Sequence, residues 1–328
     1  MKQPAVVAEK LTKRYGTLIA VNEVSLRIKE GEFFGLLGPN GAGKTTFIHM
    51  LTTILPPTSG TAKIFGMDIK EEKDEVRKLI GIVFQDQSLD NRLTGRENLD
   101  FHGRLYGIPK AEREKRIDEV LDLLELKNRA NDLVQHYSGG MKRRLELARG
   151  LLHHPGIMFL DEPTLGLDAQ TRRVIWDYIE KLNRDEKITM LLTTHYIEEA
   201  DYLCERVGII DHGKIIALGA PDSLKKKLRG DIVSLEVAEP QRYLKIFQKM
   251  KMVKEARVIG NRLYLKVDNG ENALPMLIEF VRKNGGNVQS AGVSKPTLED
   301  VFIKHTGRQI REEEPKGKGI GPGMHGWR

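Results

Sequence analysis

Eight residues, from Gly38 to Thr45, have the types and spacing needed to hold phosphate groups: GPNGAGKT. An apolar segment precedes them and an amphipathic one follows, which predicts a strand, a tight turn and a helix. Glycines let successive backbone N–H groups face phosphate oxygens. The Lys44 ammonium would bridge the β- and γ-phosphates of a nucleotide, and the Thr45 hydroxyl would ligate Mg²⁺. We expect nucleotide contacts from Gly38, Pro39, Asn40, Gly41, Ala42, Gly43, Lys44, Thr45 and Thr46.

Two adjacent acids follow a later apolar run, in the stretch IMFLDEP. A Mg²⁺–nucleotide site needs a carboxylate at the end of a neighbouring strand, and Asp161 is placed to hold the ion through water. Glu162 is the candidate general base for an attacking water molecule. Because burying charge is costly, two acids beside a buried strand favour these roles over simple capping at the strand exit.

A second group of residues also has the makings of an anion cradle. The stretch HYSGGMKRR combines Ser138, Gly139 and Gly140 with the start of a basic helix. A serine hydroxyl and backbone N–H groups at a helix N-terminus bind anions well. Because the first loop already serves one nucleotide, the second cradle needs a separate explanation.

The elements that must position these groups alternate between strand-like and helix-like segments up to about residue 220. Apolar runs such as FFGLLG, IGIVFQ, IMFLDEP, ITMLLTTH and VGIID are separated by helical patterns, which predicts an α/β domain with a largely parallel sheet. Residues 92–153 differ, because they read as helical throughout. There Ile117, Val120, Leu121 and Leu124 form one helical face, which we interpret as core packing in a helical insert between two strands.

The pattern changes after residue 220. We predict a linker over 221–230 and a small α+β domain over 231–306, with alternating strands and one helical face stopped by a pair of glycines. Thr297 and Asp300 occupy capping-box positions at the start of a final helix. The tail over 307–328 is rich in glycine, proline and charge, so we expect it to be disordered.

Composition narrows the class of protein further. Cys204 is the only cysteine, which excludes an internal disulfide and fits a reducing cytosol. No stretch approaches the roughly 20 apolar residues of a membrane span, and the first residues lack the apolar core of a secretory signal. The net charge is +7, but the basic residues are interspersed with acids and not combined with stacking aromatics, so nucleic acid is not an expected partner.

Six motifs occur in one order: the phosphate loop, Gln85 after a strand, SGGMKRR, FLDEP, LGLD and TTH. Over residues 5 to about 220 this order resembles the ATP-binding subunit of an ABC transporter. The resemblance implies the ABC-type P-loop NTPase fold, with ATP and Mg²⁺ as ligands. It also explains the two cradles, because such subunits pair head to tail and the second cradle of one chain covers the γ-phosphate bound to the other. Both half-sites are complete here, so a homodimer is the simpler expectation.

The resemblance also implies roles for single residues. Tyr15 would stack on adenine, with Val21 nearby. Gln85 would touch Mg²⁺ and the attacking water, and Asp168 would lie on a loop at the dimer interface. His195 would contact the γ-phosphate and orient the water or the base. One departure is visible, since Tyr137 stands where the family usually has leucine; we expect function to survive it.

A second, narrower resemblance concerns the type of transporter. The stretches YSGGMKRRLELARGLLHHP and KPTLEDVFIKHTG resemble the daunorubicin-resistance-type exporter ATPases, as does the position of the small C-terminal domain. This implies separate integral membrane permease subunits, a hydrophobic, drug-like or lipid-like exported compound, and a cytoplasmic position on the inner face of the cell membrane. The helical insert after Gln85 would receive the cytoplasmic helices of the permease.

Three alternatives remain open from the sequence. The chain could serve an importer with a regulatory C-terminal domain, or act as a soluble ABC ATPase on nucleic acid or ribosomes. The soluble types separate their two ATP motifs by a long coiled coil or carry two ATP domains, whereas Lys44 and Ser138 are close and occur once. A simple P-loop kinase would leave the SGG and TTH motifs unexplained.

Overall fold

The computed structural model of the protein describes residues 4–228, 230–307 and 310. Strands and helices are numbered in chain order. The first sheet is antiparallel and has four strands, in the order β2-β1-β4-β5. It consists of β1 (Pro4–Tyr15), β2 (Leu18–Lys29), β4 (Ser59–Ile64) and β5 (Met67–Asp68).

A six-stranded sheet forms the centre of the molecule, in the order β10-β9-β3-β8-β7-β6. Its members are β3 (Phe33–Leu37), β6 (Ile80–Val83), β7 (Ile157–Asp161), β8 (Thr189–Thr194), β9 (Arg206–Asp211) and β10 (Lys214–Gly219). All neighbours are parallel except β10, which runs antiparallel to β9. Every residue of β3, β7 and β8 is buried, which explains why these strands read as continuous apolar runs.

Parallel pairing of β3, β8 and β7 brings their carboxyl ends to one edge of the sheet. The chain leaves β3 into the phosphate loop, β7 ends at Asp161, and β8 ends at Thr194, directly before His195. Ligands of open α/β sheets bind at this edge. The topology therefore gathers the predicted chemical groups from three distant parts of the sequence.

Eight helices belong to this part of the chain as described. They are α1 (Lys44–Leu51), α2 (Lys73–Leu79), α3 (Gly95–Leu105), α4 (Lys110–Leu123), α5 (Gly139–Leu151), α6 (Ala169–Glu186), α7 (Ile197–Leu203) and α8 (Pro221–Lys226). The predicted helical insert consists of α3, α4, two short 3-10 helices and α5, between β6 and β7. The face of Ile117, Val120, Leu121 and Leu124 is fully buried, as expected of a core-packing face.

The small C-terminal unit is an antiparallel sheet with two helices on one face. Its strands are β11 (Asp231–Val237), β12 (Val253–Ile259), β13 (Arg262–Val267) and β14 (Val288–Ser294), in the order β12-β13-β11-β14. Helices α9 (Pro240–Phe247) and α10 (Gly270–Lys283) share a separate hydrophobic core with this sheet. The fold class predicted from the sequence, an α/β domain with a helical insert and a small α+β unit, is thus confirmed.

The boundary region differs from the expected linker. Residues 221–226 form α8, because a proline at its first position and Asp222 in its first turn favour helix formation. Leu224 of this helix and Leu228 join the hydrophobic cluster of the first domain. The last helix, α11 (Leu298–Thr306), begins with the expected capping box. Leu298, Val301 and Phe302 bury its apolar face in that same cluster rather than in the core of the small sheet.

Most of the predicted tail, 307–328, lies outside the described residues. Gly307 ends α11 in a left-handed conformation with φ of 73°, and Ile310 is buried in the cluster of the first domain. Over the described ranges, no helix combines the length and apolar character that crossing a membrane requires.

The anchoring of α11 makes a prediction about stability. Phe302 is fully buried in the core of the first domain, so Phe302→Ala should lower the free energy of unfolding by about 3–5 kcal/mol. Urea unfolding followed by the fluorescence of Trp176, which lies in the same cluster, measures this in a Trp327→Phe background. The control Met276→Ala, at a side chain that is 60% exposed, should change stability by less than about 0.5 kcal/mol. An unchanged transition for Phe302→Ala would contradict the assignment.

Candidate active site

The loop between β3 and α1 is held in one shape by backbone constraints. Gly38 N–H donates to the Thr194 carbonyl at 3.1 Å, which ties the loop to β8. Gly43 has φ of 101°, and a Cβ there would lie 2.2 Å from the Ala20 carbonyl oxygen. Only glycine fits this position. Gly43 also precedes α1 without a side-chain cap, so the first N–H groups of α1 are left to an external acceptor.

The Lys44 side chain is buried and contacts the backbone of the loop. Its Nζ donates to the carbonyl oxygens of Gly38 at 2.7 Å and Pro39 at 3.0 Å, and it lies 3.1 Å from Glu162 Oε1. Burial lowers the pKa of Lys44, against the opposing attraction of Glu162 and Asp161. The loop carbonyls and the carboxylate thus hold a buried cation where phosphate oxygens would approach.

Asp161 and Thr45 meet at the end of β7. The Thr45 hydroxyl donates to Asp161 Oδ1 at 3.2 Å, and the Thr193 hydroxyl of β8 donates to the same oxygen. Asp161 is 1% exposed, so its orientation is determined by these two hydroxyls. Hydroxyl and carboxylate oxygens are the ligands that Mg²⁺ prefers, and this donor set fits that ion.

Glu162 joins the remaining chemical groups. It has φ of 46°, a left-handed conformation that is uncommon for a side chain of this type, and its N–H donates to the Thr193 carbonyl at 3.1 Å. Its Oε2 lies 3.1 Å from His195 Nδ1, while Oε1 faces Lys44. Burial alone would raise the pKa of Glu162, but His195 and Lys44 outweigh it and hold the pKa below its usual range. Glu162 is therefore ionised at neutral pH, as a proton acceptor must be.

A cavity of about 450 Å³ opens beside the loop, which is a typical volume for a small-molecule site. It is lined by Tyr15, Leu18, Ala20, Asn40, Gly41, Gly43, Lys44, Thr45, Thr46, Gln85, Glu162 and Leu165. Gln85 and Tyr15 thus share the cavity with the loop and the acid, whereas the lining does not include Gly38, Pro39, Ala42, Asp161 or His195.

The position of Val21 differs from the expected one beside the nucleotide. It is fully buried in the core and does not line the cavity, because the alternation of β2 turns it inward towards Gly43. Leu18 and Ala20 take its expected place, and Leu18 is 64% exposed.

The second cradle lies elsewhere on the surface. Ser138 caps α5 by accepting from Met141 N–H at 3.3 Å, and Asp168 caps α6 by accepting from Thr171 N–H at 2.9 Å. The two helix starts are neighbours, since a Cβ on Gly140 would lie 2.7 Å from Thr171 Cγ2. Ser138, Gly139 and Gly140 do not line the 450 Å³ cavity. One chain therefore has both cradles but does not bring them around one cavity.

Tyr137, the departure from the family pattern, points away from the cradle. Its hydroxyl donates to the Arg129 carbonyl at 2.7 Å, and its ring is buried in the helical insert next to Gly95. The tyrosine thus serves packing within the insert.

Arg143 is a further residue of the site, which the sequence did not single out. Its guanidinium donates to the carbonyl oxygens of Phe84 at 2.7 Å and Glu162 at 3.0 Å, and also to that of Pro163. It pairs with Glu146 at 2.7 Å. A buried Arg–Glu pair three residues apart on α5 was the available signal, but it was interpreted as part of a basic helix start.

Arg143 therefore joins the residue before Gln85 to the backbone of the candidate base. Arg143→Lys keeps the charge but cannot reach three carbonyls with one planar group, so we expect kcat for nucleotide hydrolysis to fall about tenfold. The matched control is Arg144→Lys, whose guanidinium contacts the Leu124 carbonyl and Tyr178 instead. Steady-state phosphate release measures both. Equal rates for Arg143→Lys and the unmodified protein would show that Arg143 does not contribute to nucleotide hydrolysis.

Two family models match the chain. The model described as "ABC transporter" matches residues 21–165. The model described as "ATP-binding protein DrrA1-3-like, C-terminal domain" matches residues 219–306. The first match includes the phosphate loop and the end of β7. The second includes the small C-terminal unit.

Curated relatives match nearly the whole chain. The linearmycin resistance ATP-binding protein LnrL of Bacillus subtilis is 39% identical over 311 residues, covering 93% of this chain and 99% of that protein. The daunorubicin/doxorubicin resistance ATP-binding protein DrrA of Streptomyces peucetius is 38% identical over 309 residues, covering 92% of each.

Solved structures match the first domain. CbiO1 from Clostridium perfringens, part of the ABC transporter complex cbiONQ, superposes with a TM-score of 0.64 at 28% identity, over 68% of this chain and 91% of that one. The ATP-binding cassette MJ0796, a dimer in a post-hydrolysis state bound to ADP and Pi, superposes with a TM-score of 0.59 at 32% identity, over 66% and 98%.

Proposed function

This chain belongs to the family of ABC transporter ATP-binding proteins, and we propose that two copies close head to tail around ATP to power a membrane exporter of hydrophobic, drug-like or lipid-like compounds. The chain is an ATP-hydrolysing subunit. The observation that carries the head-to-tail arrangement is the separation of the two cradles. The ATP cavity is lined by the loop, Gln85 and Glu162, while Ser138 and its glycines lie outside it. A second chain is needed to complete each site.

Within one site, the residues of the chain share the work of phosphoryl transfer. The loop N–H groups and Lys44 would hold the phosphates and neutralise the developing charge. Thr45 and Asp161, which already share a hydrogen bond, would hold Mg²⁺ with Gln85. Bound there, the ion supplies further charge neutralisation on the phosphate oxygens.

Glu162 would accept the proton of the attacking water. In the structure one of its oxygens is paired with Lys44 and the other faces His195. Arriving phosphates compete for the Lys44 ammonium, so Glu162 Oε1 is released to face the water while His195 continues to orient Oε2. The partner's second cradle completes the shell around the γ-phosphate. Hydrolysis removes the γ-phosphate, which would let the dimer open.

A groove of about 350 Å³ in the helical insert supports the proposed permease contact. It is lined by Ser88, Asp90, Leu93, Asn98, Phe101, His102, Leu105 and Arg149. Phe101 and Leu105 are 60% and 68% exposed, an unusual state for large apolar side chains on neighbouring helical turns. We infer that a cytoplasmic helix of a permease covers them, and that the chain then works on the inner face of the membrane.

The groove is connected to the ATP site. Ser88 N–H donates to Glu146 Oε1 at 2.8 Å, and the Ser88 carbonyl accepts from Arg149 at 3.0 Å. Glu146 in turn pairs with Arg143, which holds the Glu162 carbonyl. A helix moving in the groove would therefore act on the backbone of the base through three consecutive contacts.

The proposed role of Glu162 is tested by Glu162→Gln. The amide keeps the shape but cannot accept a proton, so ATP turnover should fall at least about 100-fold. ATP should then hold the closed dimer, which size-exclusion chromatography with and without ATP detects. The control Glu162→Gln/Lys44→Ala should stay monomeric. Near-normal turnover would exclude Glu162 as the base.

The proposed permease contact is tested by capture from membranes. Tagged Glu162→Gln protein with ATP, isolated from detergent-solubilised native membranes, should bring a stoichiometric multi-span membrane protein. Adding Leu105→Asp should abolish this capture, because a charge is placed in the apolar groove. The control Met276→Asp, on the exposed face of α10, should not. Capture of ribosomes or nucleic acid without a membrane protein would overturn the exporter proposal and leave the ATPase intact.

A further inference from the structure

Glu199 is a fully buried acid that the proposed hydrolysis does not use. It lies on α7, which begins two residues after His195, and its side chain is 0% exposed. Buried acids are rare and are retained where their hydrogen bonds matter. Glu199 does not line the ATP cavity.

One oxygen of Glu199 joins two other elements to α7. Its Oε1 accepts from the Thr164 hydroxyl at 2.8 Å and from Trp176 Nε1 at 2.8 Å. Thr164 lies two residues after Glu162, in the turn that leaves β7. Trp176 lies in the second turn of α6, whose cap is Asp168. Glu199 therefore lies on the helix that follows His195 and contacts the segments that carry Glu162 and Asp168.

A second set of contacts joins α6 to His195. The Arg172 guanidinium lies 3.9 Å from the centre of the Tyr196 ring, and that ring lies 4.1 Å from the imidazole of His195. Arg172 and Trp176 are one turn apart on α6, so both contacts come from one face of this helix. A displacement of α6 would therefore act on Tyr196, next to His195, and on Glu199 further along the same segment.

The chemistry of Glu199 is that of an acceptor rather than of an ion-pair member. Burial raises the pKa of Glu199, against the hydrogen bonds from Thr164 and Trp176 and the attraction of Arg172. Its Oε2 is buried and has no hydrogen-bond partner within the described part of the chain. Glutamine keeps one accepting oxygen for Thr164 and Trp176, so it can replace the acid in that role.

We propose that Glu199 is a positioning residue, which holds His195 against Glu162 and couples both to the Asp168-capped helix α6 at the dimer interface. This deepens the proposed function and rests on the roles given there to Glu162 and His195. Closure of the partner against Asp168 and the start of α6 then sets the His195–Glu162 distance through Trp176 and Glu199. ATP binding does not depend on Glu199, Thr164 or Trp176, since none of these three lines the cavity.

The test compares Glu199→Gln, which keeps the accepting oxygen, with Glu199→Leu, which keeps the volume and removes it. We expect Glu199→Leu to lower kcat for ATP about tenfold with KM within about twofold, and Glu199→Gln to retain kcat within about twofold. Trp176→Phe removes the indole N–H and should lower kcat about threefold. The control is Tyr202→Phe, which keeps the ring stacked on Trp176 and should leave kcat unchanged.

Three outcomes would overturn the proposal: an unchanged kcat for Glu199→Leu, equal losses for Glu199→Gln and Glu199→Leu, or a loss confined to KM. If Glu199→Leu does not fold, Trp176→Phe decides, and an unchanged kcat for it overturns the proposal. Glu162→Gln is measured in the same series. An unaffected Glu199→Leu beside an inactive Glu162→Gln refutes the positioning role alone, whereas an active Glu162→Gln refutes the proposed function.

Discussion

The parallel pairing of β3, β8 and β7 is the constraint on which the ATP site depends. Three strands end at one edge because of this pairing. Hydrogen bonds then join the strand ends and the segments that follow them: Gly38 to Thr194, Thr193 to Asp161, and Glu162 to Thr193. Apart from Asp161 at the end of β7, the residues assigned a chemical role follow the strands rather than lie within them. The rigidity of the strands holds the lysine, the two acids and the histidine to positions that flexible loops could not maintain.

Buried charge is the second theme of the structure. Lys44, Glu162 and Arg143 are each less than a tenth exposed, and isolated they would be strongly destabilising. Each is satisfied by a partner that belongs to another segment, so the ion pairs and carbonyl contacts specify the relative positions of β7, α1 and α5. The removal of one partner leaves the other uncompensated, which couples the segments energetically.

The sequence predicted much of this because the phosphate loop, the acid pair and the apolar strands are local patterns. Strand β12 and helix α9 were not predicted, since the basic segment around them lacks a clear period. The helix within the predicted linker was not foreseen, because Leu224 and Leu228 are buried in a core formed by distant residues. Val21 was misplaced by one step of strand alternation. Glu199 was missed because its contacts are with residues far away in sequence, which no spacing rule reveals. For Arg143 the only local signal was its pairing with Glu146, since its carbonyl contacts are also distant in sequence.

The central claim is that the two cradles of one ATP site come from different chains, and mixing two inactive variants tests it most directly. Lys44→Ala breaks the first cradle and Ser138→Arg breaks the second, so each homodimer should be inactive. In a head-to-tail heterodimer both defects fall in one site and the other is intact, so an equimolar mixture should recover about a quarter of the unmodified ATPase rate. Co-purification of differently tagged chains with ATP verifies that heterodimers form. A mixture that forms heterodimers yet stays as inactive as its components would show that each chain uses its own second cradle, and would contradict the account.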